Sequence, residues 1–312
     1  MRSTRPRLVH LLLGPALSSA HSRESGNPES HFLGPGSPLS RGRAGGNTSS
    51  QMGHALLVSC LTIVTVMASA DSSSAHDLWL TFTGSASARQ VVLNYGHPGD
   101  RPPALAEKVV DLTLISDKDR KSLFKGLTFA VVRGAPVAIS QPFADTGREL
   151  VTAIYDNGLW SKGADGEYRN ALRTAVPGAT EGMWSRKFAK AITGSGAPFD
   201  AILGHPLEIV PLTDPAAARG ATLRVRVLFE GKPVPNVKLE RSHGRNASLV
   251  ETDSEGIAVV AIAGAGEYTL SASHRKSPSS VPAFADVDLF GATYSFALPR
   301  TSVRDWLALL GF

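Results

Sequence analysis

The sequence predicts a mostly β protein, built as two β-sandwich domains of immunoglobulin-like pattern with one short helix in the first. Three observations lead there. Short runs of apolar–polar alternation recur at roughly 8–15-residue intervals, the spacing of sandwich strands. Turn residues separate them: Gly 30 and Pro 20 in 312 residues make about 16%, against a usual value of roughly 12%. A hydrophobic content of 42% is enough for a packed core. The single Cys excludes an internal disulfide framework and any zinc site built on paired CxxC motifs.

The elements of the first domain (76–204) follow in order. His76 to Phe82 reads as a strand with Leu78, Leu80 and Phe82 on one side. Gln90 to Tyr95 is a second, closed by the turn Gly96-His97-Pro98-Gly99. Lys108 to Ser116, Leu127 to Val132 and Glu149 to Tyr155 continue the pattern, with turns at Lys125-Gly126, Gly134-Ala135-Pro136 and Asp156-Asn157-Gly158. Thr180 then reads as the cap of a helix running to Ile192, with Trp184, Phe188, Ala191 and Ile192 on one face and Gly194-Ser195-Gly196 ending it. The second domain (205–299) opens with Leu207 to Pro211. Ala221 to Phe229, Val237 to Glu240, Ile257 to Ile262, Gly266 to Ser273 and Ala292 to Leu298 follow, broken by turns at 231–235 and 252–256. These six runs in about 95 residues approach the seven strands and the size of an immunoglobulin-like sandwich. Residues 300–312 form a tail that can carry a short amphipathic helix.

The first 75 residues read as an address. Residues 14–51 are rich in Gly, Ser, Pro and Asn and too polar to fold, and His21 to Pro28 resembles peptide translated from bacterial interspersed repeat DNA. Residues 1–51 are accordingly a disordered or spurious upstream extension, with translation starting at Met52. Residues 52–75 read as a signal peptide: the apolar run Ala55 to Met67 is too short to span a membrane, and small residues follow it. Cleavage after Ala70 or after Ala75 both fit. Cys60 bisects that run rather than ending it, which argues against lipidation. The mature chain then lies in the periplasm, without cysteine and without a transmembrane segment. The first 75 residues hold six Arg and three acidic residues, so the rest carries 26 basic and 24 acidic side chains. Its clusters, Lys118 to Lys121 and His274 to Lys276, are short, which excludes a basic face for nucleic acid.

Several strings together resemble a family of exported bacterial proteins described as the periplasmic component of nickel or cobalt uptake. They are Ala75-His76-Asp77-Leu78-Trp79-Leu80, Tyr95-Gly96-His97, Trp184 to Lys190, Leu203-Gly204-His205-Pro206-Leu207-Glu208-Ile209-Val210-Pro211, Gly231-Lys232-Pro233, Thr252 to Gly256 and Ala272-Ser273-His274. Their order and spacing span nearly all of residues 76–299. Position 184 departs from the pattern, with Trp where the family has Tyr. The resemblance implies Ni(II) or Co(II) as cargo and a membrane metal transporter, an ABC-type system or an outer-membrane receptor, as partner.

Histidine supplies the only site chemistry. There is no HExxH, no GxSxG and no phosphate-cradling loop, so no catalytic residue is assigned and the chain is read as a non-enzyme. Five histidines follow residue 75: His76, His97, His205, His243 and His274. Imidazole is the commonest metal ligand near neutral pH and suits nickel, copper and zinc. Cleavage after Ala75 would make His76 the first residue, so that its α-amine and ring nitrogen chelate one ion together. His97 and His274 occupy positions the resembled family also fills with His, and His76, His97 and His274 form the expected metal set. His205 reads as a hinge residue, His243 as exposed, and Asp77 as facing solvent. Arg186 and Lys190 read as a solvated helix face, and Trp79 and Trp160 as packing. Two other readings are a metal-free binding or scaffold module and a copper enzyme using an N-terminal histidine.

Overall fold

In the computed structural model the described residues are 76–97, 101–116 and 119–299. The expected upstream extension, signal peptide and tail, with Pro98-Gly99 of the first turn, lie outside them. In chain order the first strands are β1 Asp77–Thr83, β2 Gln90–Gly96, β3 Val109–Ile115, β4 Arg120–Ser122, β5 Thr128–Val132, β6 Ala135–Ile139, β7 Leu150–Lys162, β8 Tyr168–Arg169 and β9 Glu181–Ile192. They are followed by β10 Leu207–Pro211, β11 Ala221–Phe229, β12 Lys232–Pro233, β13 Lys238–His243, β14 Asn246–Glu251, β15 Ile257–Ile262, β16 Gly266–Lys276 and β17 Val287–Leu298. The helical residues among those described are short 3-10 turns.

The strands form three sheets. A nine-stranded sheet runs β14-β13-β16-β17-β9-β7-β3-β4, with β8 added on β7. A four-stranded sheet, β1-β2-β6-β5, covers one of its faces, and β10-β11-β12 with β15 covers the other. Side chains alternate across a strand, and β9 displays this. Phe188 and Ile192 join a core with Leu207, Ile209 and Val225, whereas Ala189 and Ala191 join a core with Leu78, Leu80 and Leu93. The large sheet draws strands from both sides of the expected 204/205 boundary, because β9 and β17 pair in parallel from Met183–Val287 to Ala191–Ser295.

The expected helix from Thr180 to Ile192 is a strand, and this is a correction. β9 is central and buried on both faces, so it shows no apolar–polar alternation to read. Its lysines imitate the polar side of an amphipathic helix, yet Lys187 and Lys190 are each 2% exposed. The expected turn at Asp156-Asn157-Gly158 is instead a β-bulge within β7: Asp156 pairs with Arg186 and Gly158 with Ser185, which leaves Asn157 as the extra residue. Gly158 takes φ +85° there, a conformation that favours glycine.

Candidate functional site

β1 and β2 are antiparallel, and their register ends on Asp77 opposite Gly96. His76 lies one residue before that pair and His97 one residue after it. The hairpin geometry therefore brings two histidines 21 positions apart in sequence to the same end of the sheet. Their ring centres are 5.0 Å apart, with planes at 65°. His76 also meets the edge of Tyr95 at 5.2 Å. Tyr95 is held in turn: its ring lies 5.5 Å from Tyr155, and its hydroxyl donates to Asn157 Oδ1 at 2.9 Å. The bulge thus places the amide that anchors the ring beneath His76. The Asn157 carbonyl accepts from Lys108 Nζ at 3.0 Å and from Trp160 Nε1 at 3.1 Å, so Trp160 has a structural partner. Burial raises the pKa of both tyrosines, which remain neutral hydrogen-bonding groups.

Asp77 is not the solvent-facing carboxylate expected from sequence. Its carboxyl is hydrogen-bonded to Ser271 of β16 and feels the charges of Lys187 and His97. Burial raises its pKa, the Lys187 charge opposing that rise most strongly. The pKa of Lys187 is lowered by burial, with Asp77 opposing. Each group is pushed toward neutrality by desolvation, and the opposite charge of the other counters that push without outweighing it.

The third expected ligand lies elsewhere. His274 of β16 pairs in register with Phe290 of β17, and its ring centre is 4.3 Å from that of Phe229. Phe229 and Phe290 belong to the core on the opposite face of the large sheet from β1, so a sheet separates His274 from His76 and His97. The structure brings together two of the three predicted ligands, and burial lowers the pKa of the third. Among the described residues there is no group of three His, Cys, Asp or Glu side chains placed to hold a metal ion.

The remaining singled-out residues have structural partners. His205 is 8% exposed and pairs through Nε2 with Thr152 Oγ1 at 3.2 Å. It borders a cleft of about 260 Å³ with Asp111, Arg120 and Thr152. His243, expected to be exposed, is half-buried: it stacks on Tyr268 at 4.2 Å and donates from Nε2 to the Ala265 carbonyl at 3.1 Å. Arg186 and Lys190 share a strand face rather than a solvated helix face. Arg186 lies over the rings of Trp184, at 4.0 Å, and Phe290, at 4.7 Å. Lys190 is buried against Glu208 at 3.0 Å. Glu208 also accepts from the amides of Leu203 at 2.7 Å and Gly204 at 3.1 Å, which explains why a carboxylate stands inside the Leu203 to Pro211 string. Trp79 is covered by Arg101 at 5.2 Å.

Residues 73–276 match a family described as a domain of unknown function, DUF4198. The chain belongs to that DUF4198 family. A curated relative, an uncharacterized protein of Haemophilus influenzae, is 27% identical over 186 residues, which is 60% of this chain and 75% of the relative. Among solved structures, the titin domains Z1Z2 in complex with telethonin are 10% identical, covering 72% of this chain and 95% of theirs at a TM-score of 0.16. A mouse coronavirus receptor-binding domain complexed with its murine receptor is 8% identical, covering 72% and 100% at a TM-score of 0.18. TM-scores this low carry no argument. The mostly β, sandwich-like packing of a DUF4198 chain stands on the strands themselves, and no helix among the described residues is long and apolar enough to cross a membrane.

Proposed function

We propose that this protein binds a divalent transition metal, Ni(II) or Co(II), as free ion or small chelate, in the periplasm and hands it to a membrane transporter. The observation that carries the reading is the approach of His76 and His97 at the end of the β1–β2 pair, with ring centres 5.0 Å apart. Two imidazoles at that separation can each turn a nitrogen onto one ion at about 2.1 Å. Imidazole suits these metals, and a site with few protein ligands releases its ion readily, as delivery requires. Cleavage after Ala75 would add the His76 α-amine as a third donor. That amine, with an ordinary pKa of about 7.7–8.0, must lose its proton, so binding would strengthen with rising pH. His274 takes no part.

The test begins by sequencing the N-terminus of the exported protein, followed by calorimetric titration with Ni(II), Co(II), Cu(II) and Zn(II). The reading expects Ni(II) or Co(II) binding tighter than about 10 μM, roughly −7 kcal/mol, lost in His76→Ala and retained in His274→Ala. Binding that His76→Ala leaves unchanged would refute it. Copper-specific binding with peroxide-dependent turnover would favour the enzyme reading instead.

A further inference from the structure

A buried lysine stands behind the histidine pair. On β9, Lys187 alternates with the residues that face the β7–β9–β10 core, so it points to the side of the large sheet that β1 covers, as Ala189 and Ala191 do. It is 2% exposed, and its Nζ has no hydrogen-bond partner among the described residues. A buried ammonium without a direct partner is costly, and its retention calls for a reason. The side chain crosses β17 at Gly291, its partner in the strand register. A Cβ on Gly291 would stand 2.8 Å from Lys187 Cδ and 2.9 Å from Nζ, so glycine leaves the slot the lysine occupies. Gly291 pairs in turn with Ser273 of β16, two residues from the Ser271 that bonds the Asp77 carboxyl. On that side of the sheet its charge acts on Asp77, the carboxylate adjacent in sequence to His76.

We propose that Lys187 is a positioning residue for the histidine pair: it holds Asp77 against β16 and thereby fixes the chain entering β1 so that His76 faces His97. The proposal rests on the metal-binding reading above. It assigns Gly291 a role as well, that of keeping the lysine's path open. The Lys187 charge acts on Asp77 through space and Ser271 bonds the same carboxyl, whereas the charge of Glu240, the register partner of Ser271, opposes both.

The test compares the full exported chain with Lys187→Met and Gly291→Ala, reading Ni(II) affinity by calorimetry, the number of imidazole donors by X-ray absorption at the nickel edge, and folding by thermal unfolding. Both variants should weaken Ni(II) binding by about tenfold or more and reduce the two-imidazole signature to one. A lysine that merely supports the core would lower affinity while both imidazoles stay on the ion, and that result overturns the proposal. Unchanged affinity in either folded variant, within about twofold, also overturns it while leaving the metal reading intact. A wild-type protein that binds no Ni(II) overturns the metal reading itself, and this inference with it. Should Lys187→Met fail to fold, Gly291→Ala, which keeps the lysine, decides the matter.

Discussion

Replacing Glu208 with leucine should be among the most damaging single changes in the protein. The Glu208 side chain is 1% exposed, and that of its partner Lys190 is 2% exposed. One carboxyl serves three donors: Lys190 Nζ at 3.0 Å, the Leu203 amide at 2.7 Å and the Gly204 amide at 3.1 Å. Leucine fills a similar volume but accepts none of them. Lys190 would keep the Ala201 carbonyl at 3.0 Å, the Tyr294 ring at 5.6 Å and the weaker pull of the Asp200 charge, but would lose the carboxylate it is paired with. Breaking a buried ion pair from one side costs about 3–5 kcal/mol, and orphaned amides act in the same direction. The expected loss is about 4 kcal/mol, or roughly 12 °C in Tm for a folded unit of this size. Urea and thermal unfolding followed by far-ultraviolet circular dichroism measure it. The double variant Lys190→Met/Glu208→Leu should recover at least half of the loss, because no buried charge remains unpaired. A loss below about 1 kcal/mol, or a double variant no more stable than Glu208→Leu alone, would refute the reasoning.

Three further outcomes follow from the same structure. The pKa of His205 is lowered from 6.5, burial being the main cause with Glu208 opposing it. Because the folded-state value is the depressed one, its contribution to stability is complete above pH 6.5 and is lost as pH falls through the lower folded value; a pH series of urea midpoints should show this, and His205→Asn should flatten it. Leu80→Ala, at a fully buried position of β1, should destabilise by about 2–5 kcal/mol in the same assay. Asn157→Leu removes the acceptor of the Tyr95 hydroxyl and should cost about 1–3 kcal/mol while also weakening Ni(II) binding, since Tyr95 supports His76; unchanged affinity would separate the ring from the site.

Strands with one polar and one apolar side were legible from sequence. β1, β3 and β11 fall close to where alternation places them, because each has one face in a core and one less buried, whereas β2, buried on both faces, was delimited by the turn residues after it. β9 was not legible, because burial on both faces erases the period and the buried Lys190 read, with Arg186, as a solvated helix face. β6 was hidden by Pro136, which reads as a turn residue yet lies within the strand. β14 was hidden by polarity: as the edge of the large sheet, its burial alternates only between exposed and half-buried. Of the candidate site, His76 and His97 could be singled out as histidines, but their meeting depends on the β1–β2 register. Lys187 and Asp77 carried no sequence signal of burial. The available clue was Gly291, a glycine inside an apolar strand, which marks close approach by another group.

The most direct test of the central claim is X-ray absorption at the nickel edge on the Ni(II)-loaded protein. Coordination by His76 and His97 predicts the scattering signature of two imidazoles, reduced to one in His97→Ala and unchanged in His274→Ala. A spectrum of oxygen donors without imidazole, or one that His97→Ala leaves as it was, would contradict the account.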